Sequence, residues 1–168
     1  KSMKDLNTLE RFVGELEGRI ARLKKVADAL SKLDATDFPQ LAKALRALLK
    51  DPSNTEEAER TLASLQEAIA REGKRRRANR LLEEGISLGQ QGARLLAEEH
   101  FLEAQAPLQE AVERLAAATG TLEESDPRLK EAIAANARAT WSNLLLARLA
   151  QSMAQGETGA ALCQQQDY

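Results

Sequence analysis

The chain has 168 residues, a formal net charge of −2 and 43% hydrophobic residues, but only 3% aromatic ones. Leu and Ala supply 27 and 30 residues while Val and Ile together supply 7, which suits helices rather than sheets because unbranched side chains and Ala lose little rotamer freedom in a helix. One His and one Cys exclude an intramolecular disulfide and leave too few ligands for a His- or Cys-based metal site, so neither an enzyme nor a bound cofactor or metal is expected.

Leu9, Val13, Leu16, Ile20, Leu23, Ala27 and Leu30 alternate spacings of four and three, with Leu6 and Leu33 extending the series. This is a heptad seam, and it predicts a helix over 3–33, about 45 Å long at 1.5 Å per residue. Phe12 and Val26 widen the apolar stripe, so a bundle face fits as well as a two-stranded coil. Asp34 to Pro39 breaks the helix, with Asp37 as a cap and Pro39 in the next first turn, where its missing N–H costs nothing. A short helix over 38–49 carries Phe38, Leu41, Leu45, Leu48 and Leu49 on one side. Ser53 with Glu56 and Asn54 with Glu57 then form two overlapping capping boxes.

The third helix shows Ala58, Leu62, Leu65 and Ile69 in register before a solvated stretch, and the apolar pattern returns at Ala78, Leu81 and Leu82. A lone Gly73 costs only about 1 kcal/mol and no Pro intervenes, so one helix is expected from about 55 to 98. Gly85, Gly89 and Ala93 stand four apart and leave one face without bulk, open to close approach by another helix. A helix over 102–118 holds Pro107, tolerable near its first turn, and Thr119-Gly120 ends it. Asp126-Pro127 starts a long helix to about 154 with Leu129, Ile133, Trp141, Leu144, Leu145 and Leu149, and Gly156 to Gly159 sets off a last short fragment. The fold class is all-α: an N-terminal coiled-coil helical hairpin followed by antiparallel helical hairpins. The expected division is 1–72 and 73–168, or one continuous helical domain.

Residues 85–118 resemble a tetratricopeptide repeat, a helix–turn–helix unit of about 34 residues. Leu88, Gly92 and Leu95 take its large, small and large contacts, Phe101 the aromatic place at the turn, and Ala104, Leu108 and Ala111 the contacts of the second helix. The stretch lacks Gly at Glu99 and Pro at Ala116, and a generic helical hairpin rich in Leu and Ala accounts for the same pattern. A degraded second unit is readable from Arg138, with Trp141, Leu144 and Leu145 at the matching contacts and Glu157 where Ala belongs. The resemblance implies a binding scaffold without chemistry. Its groove positions would be Ile86, Gly89, Ala93 and Leu96, which are apolar and suit an apolar ligand helix, or one of the chain's own, rather than a charged peptide end.

The net charge hides a segregation. Residues 71–80 carry 6 basic and 1 acidic side chains, and residues 81–168 carry 6 basic and 13 acidic ones. Lys74, Arg75, Arg76, Arg77 and Arg80 are a candidate charged surface for nucleic acid or an anionic lipid surface, although stacking aromatics are absent; a solvated helix middle or an acidic partner is favoured. His100 reads as a turn residue beside Phe101, and Cys163 as a free small side chain with no basic neighbour. No apolar run approaches the roughly 20 residues of a membrane span. No leader marks a compartment, a cytoplasmic one being favoured, and the two ends are those expected of a piece of a longer protein.

The seam carries the functional expectation. Its partner 58–69 offers only about 17 Å, so unless the short helix covers the rest, an apolar stripe is left for another chain. The expected function is a non-catalytic protein-interaction scaffold binding a protein partner or its own copy as a dimer, through Leu9, Val13, Leu16, Ile20, Leu23 and Leu30, with Ile86 and Leu96 on the repeat-like part. The alternative is an adaptor for nucleic acid or an anionic surface through the basic run. An intramolecular bundle using every helix competes with both.

Overall fold

A computed structural model describes residues 2–122 and 126–166. In chain order these form α1 (Ser2–Ser31), α2 (Pro39–Leu48), a 3-10 turn (Pro52–Asn54), α3 (Thr55–Ala97), α4 (Phe101–Thr121) and α5 (Pro127–Gln166), with no strand among the described residues. The chain divides into two compact units at Gly73 and Lys74, and α3 supplies residues to both.

In the first unit α2 starts at Pro39, whose absent N–H leaves no orphan donor, and buries Ala42 and Leu45. Phe38, and not Asp37, is the N-cap residue of α2, and it makes no side-chain cap bond. Leu23, Val26 and Leu30 of α1, Leu45 of α2 and Ala58 and Leu65 of α3 form one core cluster, with Leu41, Leu48, Leu49, Leu62 and Ile69 packed against it. Leu45 and Leu65 are fully buried, each worth about 1.5–3 kcal/mol over an exposed side chain. In place of the two capping boxes, the Asp51 carboxylate accepts from the Ser53 N–H at 2.8 Å and the Thr55 hydroxyl donates to the Pro52 carbonyl at 2.7 Å. The Ser53 N–H holds the Asp51 carboxyl below its ordinary range.

In the second unit, residues 74–97 of α3 pack with α4 and α5 as two antiparallel hairpins. Ala104 and Leu108 meet Leu144 and Ala147, with Leu95, Leu96 and Val112 against them. Two turns further along α4, Leu115 and Ala118 join Ile133 and gather Leu81, Leu82, Leu129 and Ala137. Glycines let α3 come this close: a Cβ at Gly92 would stand 2.4 Å from Leu108 Cγ, and one at Gly85 2.7 Å from Leu115 Cγ. Gly89 turns the other way, towards the Thr140 hydroxyl of α5 at 3.1 Å. The open face expected of Gly85, Gly89 and Ala93 is therefore used as two faces, Gly85 and Gly92 towards α4 and Gly89 towards α5.

The turn from α3 to α4 is a complete Schellman motif. The His100 N–H donates to the Leu95 carbonyl at 2.9 Å and the Glu99 N–H to Leu96 at 3.2 Å, while Glu99 holds φ at 64°, left-handed without being glycine. One proline and two helix limits differ from the sequence expectation. Pro107 is the seventh residue of α4, past the first turn, so the Glu103 carbonyl lacks its usual i+4 donor. The helix passes Gly120 to end at Thr121, whose hydroxyl donates to the Ala117 and Ala118 carbonyls. α5, capped by Asp126 accepting from the Leu129 N–H at 3.1 Å, runs through Gly156 and Gly159 to Gln166 with no break, because each Gly costs a helix only about 1 kcal/mol and no Pro follows.

Candidate functional site

The heptad seam of α1 divides in two. Exposure is 59% at Leu9, 62% at Phe12 and 38% at Leu16 and Ile20, then drops to 7% at Leu23. Leu23, Val26 and Leu30 are consumed by the unit's own core, so of the six seam residues named from the sequence, Leu23 and Leu30 are not open to a partner. Leu9, Val13, Leu16 and Ile20 remain exposed together with Leu6 and Phe12. The free stripe from Leu6 to Ile20 runs about 21 Å along the helix. Single exposed leucines are ordinary, but six large apolar side chains in one stripe mark an interaction face.

The stripe is fixed where it enters the core. The Arg22 guanidinium on α1 forms a two-bond fork with the Glu59 carboxylate on α3, at 2.8 Å from Nε and 2.5 Å from Nη2. This pair holds the Glu59 carboxyl below its ordinary range and raises Arg22 above its own. At the same point Ile20, Leu23, Ala27, Leu49 and Pro52 line a small cleft of about 220 Å³. α1 is thus anchored at its C-terminal half, and its N-terminal half presents the apolar face.

Of the groove positions expected on α3, Leu96 and Gly89 are packed within the chain. Leu96 packs against Ala104, Leu108, Leu144 and Ala147, Gly89 faces Thr140, and Ile86 is half-buried. Leu96 is thus closed off by the cluster that α4 and α5 form, while Ile86 stays partly exposed. Of the contacts read for a second unit, only Leu144 reaches the core; Trp141 and Leu145 are exposed. With Leu149 and Met153, also exposed, they make a second apolar row at four-residue spacing on α5. That row was legible as a period in the sequence, but its orientation was not, because Leu144 and Ala147 compete for the buried side.

Lys74, Arg75, Arg76, Arg77 and Arg80 all lie exposed on α3. None of Lys74, Arg75 and Arg76 is without a partner, and Arg77 borders a shallow groove with Glu110, Glu113 and Arg114. The run is distributed round the helix rather than gathered into one basic face, and at Arg77 it meets the carboxylates of α4. His100 is the N-cap residue of α4 and makes no side-chain cap bond. Cys163 lies outside the described side chains. Among the described residues no three His, Cys, Asp or Glu side chains converge on a metal position, and no helix is long and apolar enough to cross a membrane.

Comparison of the chain with protein-family models, curated proteins and solved structures finds no match. The reading of the site therefore rests on its geometry.

Proposed function

We propose that the chain is a non-catalytic helical interaction module that works by burying the apolar face of α1 against a partner helix. One observation carries this reading: Leu6, Leu9, Phe12, Val13, Leu16 and Ile20 are exposed on a helix whose other half packs tightly. Anchoring half of a helix removes much of the entropy that a free amphipathic segment loses on docking. The hairpins α3·α4 and α4·α5 serve as a scaffold in the manner of a repeat-like unit, with the groove positions Leu96 and Gly89 packed within the chain, so binding falls to α1 and not to Ile86 and Leu96. The row Trp141, Leu145, Leu149 and Met153 offers a second, shorter contact.

The test is affinity capture with the intact chain against Leu9→Asp/Leu16→Asp. Both positions are exposed, so circular dichroism, and melting of the dilute chain, should be unchanged. Loss of every specific captured protein, including a tagged second copy, is the result expected; an unchanged captured set contradicts the reading.

A further inference from the structure

We infer that the face of α1 from Leu6 to Ile20 is built to pair antiparallel with the same face of a second copy. This inference rests on the reading of that face as an interaction surface. In heptad terms Leu6, Val13 and Ile20 occupy one seam position and Leu9 and Leu16 the other, with Asp5, Phe12 and Arg19 along one flank. That flank reads acid, aromatic, base at seven-residue steps, and reversed it reads base, aromatic, acid. A two-fold axis beside Phe12 therefore sets Asp5 of each copy against Arg19 of the other and Phe12 against its own copy. It also layers Leu9 on Val13 and Leu6 on Leu16 in both directions, the isologous arrangement of a closed dimer. Parallel pairing does the opposite: Asp5 then meets Glu10 and Arg19 meets Lys24, like charges at each site. The opposite flank opposes Glu10 to Glu10 at the centre of the antiparallel pair, against the two attractive contacts.

Packing selects the same direction. From Leu23 onward the seam is covered by α2 and α3 of its own unit. Two parallel copies would bring both covers to the same end of the pair. Antiparallel copies place them at opposite ends, each beyond the short N-terminal run of the other.

Sedimentation equilibrium of the intact chain at low salt tests this up to roughly 200 µM, where even a weak dimer of that affinity is half formed. A dimer is expected, lost in Leu16→Asp. Asp5→Arg should weaken it about tenfold, since two attractive pairs become repulsive, and Asp5→Arg/Arg19→Asp should restore it. Overturning results are a monomeric wild type, a dimer indifferent to Leu16→Asp, or a tightening by Asp5→Arg, the sign that parallel pairing gives. If the wild type is monomeric while capture of another protein is lost in Leu16→Asp, only self-pairing falls; if capture is also unaffected, the interaction reading falls with it.

Discussion

Gly92 on α3 and Leu108 on α4 share one volume: the position a Cβ would take on the glycine lies 2.4 Å from the leucine Cγ and 3.3 Å from the Ala104 carbonyl. Leu108 is fully buried and cannot swing away. Gly92→Ala should therefore destabilise the chain, since overpacking of about 1–3 kcal/mol exceeds the gain of up to about 1 kcal/mol in helix propensity. Leu108→Ala should cost about 2–5 kcal/mol. Urea unfolding of the double variant should show less loss than the sum, because each change relieves the other. Gly73, with nothing within 4 Å of its added Cβ, is the control: Gly73→Ala should stabilise by about 0.5–1 kcal/mol.

Glu99 carries the left-handed φ that closes the Schellman turn before α4. A Cβ in that conformation costs about 1–2 kcal/mol, partly offset by the larger unfolded-state freedom of glycine. Glu99→Gly is expected to stabilise the chain by about 0.5–1 kcal/mol, read as a higher urea midpoint with the m-value unchanged. Glu99→Val, β-branched and unsuited to positive φ, should lower it.

Acid should weaken the first unit through Glu59 and Asp51. Hydrogen bonding to Arg22 lowers the Glu59 pKa from its ordinary 4.5, and the Ser53 N–H lowers Asp51 from 3.8. A carboxyl that binds protons less well folded than unfolded stabilises fully above its unfolded pKa and loses that contribution as pH falls through the folded one. Melting temperature should thus decline below about pH 4.5, and Glu59→Gln should flatten that decline. Because the pair is exposed, added salt should shrink the difference between wild type and variant.

Helix identity was legible in the sequence wherever one local signal dominated. The seam gave α1, Pro39 gave the start of α2, Asp126-Pro127 gave the start of α5, and the lack of any proline near Gly73 gave a continuous α3. Helix limits were hidden where a weak breaker met a long helix, as at Gly120 and Gly156, while Pro107 sits deeper in α4 than its missing N–H favours. The candidate site was half legible. Periodicity showed that a seam exists, but not where α2 and α3 would stop covering it, because that depends on how far a ten-residue helix reaches along a thirty-residue one. The orientation of the row Trp141, Leu145, Leu149 and Met153 was hidden for a related reason: on an Ala-rich helix, the side that faces the core is decided by packing against α4 and by the approach of Thr140 to Gly89, not by the helix's own pattern.

The most direct measurement of the account is the melting temperature as a function of chain concentration, for the wild type and for Leu9→Asp. Self-pairing through α1 couples association to folding, so the wild-type midpoint should rise with concentration. The variant should melt at one temperature throughout, equal to that of the dilute wild type, because Leu9 is 59% exposed in the single chain. Two concentration-independent and equal midpoints would contradict the account.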